Sequence, residues 1–256
     1  MPDWIERFSL RGRKALVTGA SKGIGAEIAR VYADAGADIV AVARDEAGLA
    51  ETADAVRGHG LECLTLTADL AVPDDVRDVA AHALDAWGTI DILVNAAGIA
   101  RVAPALDLTL EDWEATMAIN LRAPFLLSQA LAPAMIAQAW GKIIMISSQT
   151  GVIALDDHAA YASSKGALNA LTKSLMAEWA RHNVQVNAIC PTVVMTPMGR
   201  KVWGPDEKGG PFREATPLRR FGEPVEIADL ALYLASPAAE LVNGAVVMIE
   251  GGFSSV

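Results

Sequence analysis

The 256-residue chain reads as an α/β protein built on a doubly wound, seven-stranded parallel sheet flanked by helices. Two patterns carry that reading. Short apolar runs, nearly continuous in hydrophobicity, recur along the chain, as strands buried on both faces of a parallel sheet do. Between them lie longer stretches whose apolar residues repeat every three or four positions, the period of a helix with one buried face. Their strict alternation implies right-handed crossovers and helices on both sides of one sheet.

In order, the expected strands are 15–18, 39–43, 63–67, 92–95, 143–147, 186–189 and 246–249. The expected helices are 24–35, 46–57, 74–87, 110–138, 159–182 and 224–234. Pro73 before Asp74 and Asp75, and Glu223-Pro224 before Glu226, are typical helix starts. The proline ring pre-sets φ, and first-turn carboxylates face the positive end of the helix. The rhythm breaks at 199–220, a stretch rich in Gly, Pro and charge and too long for an ordinary connection. A mobile lid is expected there. No repeat or low-complexity tract divides the chain, so residues 1–256 are expected to form a single domain.

Apolar residues make up 52% of the chain and charged residues 20%, which suits a compact folded protein. Twenty-one basic against thirty-one acidic side chains leave a formal charge of −10, with no Lys/Arg cluster. That distribution argues against nucleic acid or an anionic membrane as partner. Cys63 and Cys190 both fall inside apolar strand-like runs and read as buried, reduced thiols. The N-terminal Met-Pro-Asp-Trp-Ile-Glu-Arg lacks the apolar core of a leader, and no apolar stretch is long enough to span a bilayer. A cytoplasmic location is the expectation.

After the first strand comes Thr18-Gly19-Ala20-Ser21-Lys22-Gly23-Ile24-Gly25. Glycines at this spacing let the backbone turn tightly and approach a pyrophosphate at the positive end of the next helix. The same residues also match Gly-x-Ser-x-Gly, which keeps an α/β serine hydrolase in view. Against it, no earlier strand exists to supply an oxyanion loop. The second strand ends Ala43-Arg44-Asp45. Arg44 and Lys22 are cations placed to meet a 2′-phosphate and favour NADP(H), whereas Asp45 keeps NAD(H) open.

Tyr161 and Lys165 stand four residues apart at the start of a helical run, so a phenol and an ammonium share one helical face. A phenol ordinarily ionises near pH 10, too high for acid/base work at neutral pH. A cation beside it is expected to lower that value. The pair therefore reads as a proton-transfer device.

Through these and further residues, the chain resembles the short-chain dehydrogenase/reductases along nearly its whole length. The glycine loop, Asn95-Ala96-Ala97-Gly98, Asn120, Ser148 and Tyr161-x-x-x-Lys165 all fall in that family's order and spacing. The resemblance implies a Rossmann-type domain and hydride exchange between a nicotinamide cofactor and an alcohol or ketone. Tyr161 would then be the proton donor or acceptor, and Lys165 would tune it and hold the nicotinamide ribose. Ser148 would hold the substrate oxygen, and Asn120 a water linking Lys165 to solvent. The cofactor would lie along Gly19, Ser21, Lys22, Gly23, Ile24 and Gly25, with Arg44, Asp69 and Leu70 around the adenosine. Asn95, Ala96 and Gly98, then Pro191, Val194 and Thr196, would line the remainder. Taken singly, Asn120 could be an ordinary buried amide and Ser148 a strand-end hydroxyl. Members are usually tetramers or dimers, and a homotetramer is expected.

One departure concerns the substrate. Where the family usually has Pro-Gly after the sixth strand, this chain has Pro191-Thr192. Together with Ser147-Ser148-Gln149, His158 and Trp203, this stretch is similar to the dicarbonyl/L-xylulose reductase and bacterial polyol dehydrogenase branch. That resemblance implies a small polyol or ketose as substrate, contacted by Ser148, Gln149, His158, Tyr161, Thr192 and Trp203. His158 could equally be a surface loop residue, and Trp203 a packing aromatic. No metal is expected, because the adjacent Asp156-Asp157-His158 would rarely converge on one ion. A 3-oxoacyl thioester reductase remains a rival, with scattered Arg101, Arg200, Lys201 and Lys208 as its only carrier-binding cations. A non-catalytic dinucleotide sensor is the other rival, disfavoured by the intact Asn120, Ser148, Tyr161 and Lys165.

Overall fold

The computed structural model describes residues 3–256, the side chain of Met198 excepted. The first two residues of the N-terminal segment lie outside it. Seven strands form: β1 (Lys14–Thr18), β2 (Asp38–Ala43), β3 (Cys63–Thr67), β4 (Ile92–Asn95), β5 (Gly141–Ile146), β6 (Val184–Pro191) and β7 (Val246–Ile249). All pair in parallel, in the order β3-β2-β1-β4-β5-β6-β7. Every expected strand is present. The chain winds outward from β1 to one edge, then crosses to β4 and winds to the other. That reversal opens a crevice above the C-terminal ends of β1 and β4, where a ligand can sit.

The helices are α1 (Trp4–Phe8), α2 (Gly23–Asp34), α3 (Glu46–Gly58), α4 (Pro73–Trp87), α5 (Leu110–Met117), α6 (Ala123–Ala137), α7 (Ala159–Trp179), α8 (Pro197–Trp203), α9 (Asp206–Ala215) and α10 (Pro224–Ala235). Alternate strand residues face opposite layers. Val17, Ile39, Val94 and Ile144 pack under α2 and α10, whose own contact is tied by the Tyr32 phenol donating to the Ala231 carbonyl at 2.9 Å. Leu16, Val40, Leu93, Ile143 and Met145 pack on the other face against α4, α6 and α7. Both layers are packed with buried apolar side chains, which fixes the strand ends from which the site is built.

Three local expectations change. The stretch 110–138 is not one helix: a π-helical turn, Ala118–Arg122, separates α5 from α6. Asn120 lies in that turn, and its amide is drawn aside by the backbone of Ile99. The segment 199–220 is not an irregular loop but holds most of α8 and all of α9, despite Pro211 inside α9. A short helix, α1, occupies the N-terminal segment that carries no helical period. None of the helices among the described residues is long and apolar enough to cross a membrane.

Candidate active site

The site grows from the C-terminal ends of β1, β4, β5 and β6. At the first, the buried Thr18 hydroxyl accepts from the backbone N–H groups of Ala96 and Ala97, each at 3.0 Å. This staples the glycine turn to the end of β4. Gly19 has φ +68°, and a Cβ there would stand 3.0 Å from the Ala97 backbone, so only glycine fits. Gly23 has φ +62° and packs against the Thr196 methyl group. α2 begins at Gly23 with neither a side-chain cap nor an acidic residue in its first turn. Its leading N–H groups are thus left for an anion, and the turn fits a dinucleotide pyrophosphate.

Ser21 does not sit as a nucleophile would. Its backbone and Cβ press on Gly48 of α3, where a Cβ would come within 2.5 Å of the Ser21 carbonyl. Asp45 is the N-cap of α3, accepting from Gly48 N–H at 3.2 Å, and it faces Lys22 at 3.7 Å. Arg44 is largely exposed and stands 4.0 Å from Asp69. The Asp69 carboxylate also accepts from Ala71 N–H at 3.0 Å, and Leu70 beside it is buried.

β5 delivers Ser148 and α7 delivers Tyr161 and Lys165. Past Ile146 the chain turns into a short 3₁₀ segment, Gln149–Gly151, capped by Ser148. The Ser148 hydroxyl lies close enough to the Tyr161 phenol to pull its pKa down. Lys165 donates to the Ile146 carbonyl at 2.8 Å, and its ammonium lies 5.6 Å from the centre of the Tyr161 ring. Burial pushes Lys165 down to about 8. The expected cation-lowered phenol is not found: burial pushes the Tyr161 pKa up, and the Ser148 hydrogen bond is what pulls against it. Lys165 is held over the ring and bonded elsewhere, so its charge is not spent on the phenol oxygen.

Asn120 and Lys165 converge on Gly98, where an added Cβ would meet Asn120 Oδ1 at 3.3 Å and Lys165 Nζ at 3.6 Å. The Asn120 amide is fully engaged: Oδ1 accepts from Ile99 N–H at 2.9 Å, and Nδ2 donates to Ile99 O and Ser164 Oγ. Asn95 donates to Met145 Sδ at 3.3 Å, and its Oδ1 has no partner among the described residues.

On the substrate side, His158 places its ring edge-on to Tyr161, 6.1 Å between centres, with Nδ1 2.5 Å from the Asp156 carbonyl. Ile146 and Ile189 are paired in the β5–β6 ladder, and Gln149 and Thr192 each follow three residues later. Gln149 Oε1 and Thr192 Oγ1 are both buried without a hydrogen-bond partner among the described residues. Beyond them, Val194 is buried, Pro191 closes β6 against Ile249, and the Thr196 hydroxyl accepts from Gly199 N–H at 3.0 Å to cap α8. Trp203 packs within the 199–220 segment, against Phe212 at 5.2 Å. Phe212 in turn stacks on Phe253 at 4.8 Å. Thr150 escaped notice in the sequence. The one signal for it is a hydroxyl two residues after Ser148, the spacing of a local side-chain turn.

Comparison with known proteins agrees with this geometry. A family model described as enoyl-(acyl carrier protein) reductase, of the short-chain alcohol dehydrogenase type, matches residues 19–254. A D-threitol dehydrogenase of Mycolicibacterium smegmatis is 44% identical over 248 residues, covering 96% of this chain and 95% of the relative. An L-xylulose reductase of Bos taurus is 40% identical over 95% of this chain and 97% of its own. The crystal structure of a gluconate 5-dehydrogenase from Burkholderia cenocepacia, in complex with NADP and tartrate, superposes with a TM-score of 0.94. It is 38% identical and covers 99% of this chain and 100% of its own. Such relatives overturn the serine-hydrolase alternative, in keeping with a Ser21 that packs against glycine. The chain is a member of the short-chain dehydrogenase/reductase family, oxidoreductases that act on CH–OH groups.

Proposed function

We propose that the enzyme interconverts a secondary alcohol and a ketone on a small polyol or ketose, with NADP(H) preferred over NAD(H). The observation that carries the reaction is the grouping of Ser148, Tyr161 and Lys165 at the ends of β5 and α7, beside the crevice. When bound, the nicotinamide supplies or takes the hydride. In reduction, Tyr161 gives its phenolic proton to the oxygen of the substrate carbonyl, and in oxidation it takes the proton back. Ser148 donates to the same oxygen and stabilises the charge that develops there. Lys165, anchored on the Ile146 carbonyl, holds its positive charge against the Tyr161 ring. Asn120 holds the π turn against Ile99 and thereby fixes the wall next to Lys165.

The polyol reading rests on the two buried, unpaired oxygens of Gln149 and Thr192 at the neighbouring ends of β5 and β6. A buried acceptor without a donor is costly, and a ligand hydroxyl would relieve it. The rival thioester reading is weakened: of its four scattered cations, Arg101 is paired with Asp112 at 2.6 Å and Arg200 with Glu223 at 3.1 Å, while Lys208 packs over Trp203. The NADP(H) preference rests on Asp45 being committed to capping α3, while Arg44 extends an exposed guanidinium at the end of β2. The D-threitol, L-xylulose and gluconate relatives are consistent with this substrate class. A homotetramer in the cytoplasm completes the proposal. The tetramer draws support from a cleft of about 450 Å³ between α5, α6 and α7, where Met117, Leu121, Phe125 and Leu171 sit beside Glu114 and Arg122.

An absorbance screen of short polyols and ketoses with both nicotinamides is the test. Turnover of a polyol–ketose pair, faster with NADP(H), is expected; turnover confined to 3-oxoacyl thioesters would overturn the reading. Arg44→Ala should weaken NADPH by about tenfold, the loss of a charge-assisted hydrogen bond, and leave NADH little changed. Equal losses would take the phosphate away from Arg44.

A further inference from the structure

We propose that Thr150 is a positioning residue that locks Ser148 into the role of hydrogen-bond donor towards the substrate oxygen. The inference rests on the reading that Ser148 holds that oxygen. A serine hydroxyl has one proton to give and two lone pairs to receive with. Ser148 Oγ accepts from the backbone N–H of Thr150 at 3.2 Å and from the Thr150 hydroxyl at 3.0 Å. Both lone pairs are thereby filled from one residue. The Ser148 proton is left free to be given elsewhere, and the Ser148 hydroxyl is close enough to the Tyr161 phenol to pull its pKa down.

The turn that holds these groups has little freedom to relax. Gly151 closes it against α7 so tightly that a Cβ would stand 2.8 Å from Asn169 Nδ2 and 2.9 Å from the Lys165 carbonyl carbon. Asn169 donates back to the Gly151 carbonyl at 3.4 Å, and Ser147 to the Lys165 carbonyl at 3.2 Å. Ser148 and Thr150 are both buried, so water competes poorly for the same lone pairs. A donor whose direction is set in advance needs no reorganisation when charge appears on the substrate oxygen. Serine at 148 alone would be free to accept from a substrate hydroxyl and so bind it in the wrong polarity.

The test compares Thr150→Val, which keeps shape and backbone N–H but loses the donor, with Thr150→Ser, which keeps the donor. Thr150→Val should lower kcat on the order of tenfold with dinucleotide affinity unchanged, and Thr150→Ser should stay within about twofold of the parent. The basic limb of the pH–rate profile should move upward in Thr150→Val, because a less polarised Ser148 pulls less on the phenol. In a Ser148→Ala background, Thr150→Val should add nothing further. Parent-like turnover in Thr150→Val, an equal loss in Thr150→Ser, or the same loss with and without the Ser148 hydroxyl would each overturn the proposal. Should Thr150→Val fail to bind dinucleotide, Thr150→Ala takes its place against Thr150→Ser, with the same expectations. Full turnover in Ser148→Ala alone would instead remove the reading on which the proposal stands.

Discussion

Lys165 and Lys142 are buried at opposite ends of the same strand. Lys142 is the second residue of β5 and is 1% exposed; Lys165, 4% exposed, reaches the last carbonyl of β5 from α7. Burial pushes both down to about 8. Their surroundings differ completely. Lys165 donates at 2.8 Å and lies over a phenol that Ser148 in turn perturbs. Lys142 has no hydrogen-bond partner among the described residues, with only the Trp140 ring at 5.8 Å and the more distant Glu240 charge to favour its proton. A perturbed amine therefore does not mark an active site by itself; what separates the two is a reactive neighbour and access to the crevice.

The largest expected effect divides the pair by activity. Lys165→Met should reduce kcat by on the order of a thousandfold, the range spanned by acid/base residues, while Lys142→Met leaves it unchanged. Steady-state kinetics on both variants would break the contrast if Lys142→Met proved equally damaging. The next effect runs the other way. Replacing a buried, unpaired ammonium by a thioether of similar shape should stabilise the fold by about 2 kcal/mol at pH 7. In a chain of this size that would raise Tm by roughly 5 °C. A Lys142→Met variant that melts lower than the parent would mean the ammonium is paired in solution.

A smaller effect sharpens the comparison with pH. The folded pKa of Lys142 lies near 8, below its ordinary 10.5, so the unfolded chain binds more protons between those values. Stability of the parent should rise with pH across that window, and the full penalty should be present below about 8. The advantage of Lys142→Met should accordingly shrink as pH rises from 8 towards 10. Thermal melts of both proteins across that range check it; a constant difference would separate the stabilisation from the proton.

How far the sequence could be read follows from how local each feature is. The five inner strands were legible because burial on both faces writes a nearly unbroken apolar run, as in Ile92-Leu93-Val94, whereas the edge strands β3 and β7 are only partly buried. Tyr161 and Lys165 were legible because one helical turn joins them. The π turn at Asn120 was not, since it depends on the Ile99 backbone twenty-one residues earlier. Asp45 looked like a ribose ligand from its place after β2, and only the helix behind it reveals that it is a cap. α9 was hidden by Gly209, Gly210 and Pro211, which Phe212 offsets by stacking on Phe253. Lys142 did leave a trace, a charge at the head of Gly-Lys-Ile-Ile-Met-Ile, yet no local pattern says that it lacks a partner. Nor does spacing reveal which way the Tyr161 pKa moves, because desolvation is set by the whole packed site.

In the proposed mechanism, the chemistry at the start of α7 comes down to one phenolic proton. Tyr161→Phe, assayed in parallel for dinucleotide binding by fluorescence and for turnover of a polyol–ketose pair, isolates it. Unaltered binding with turnover reduced by about a thousandfold or more is the expected outcome. A phenylalanine variant that binds cofactor and still turns over at a substantial fraction of the parent rate would place the proton transfer on another group.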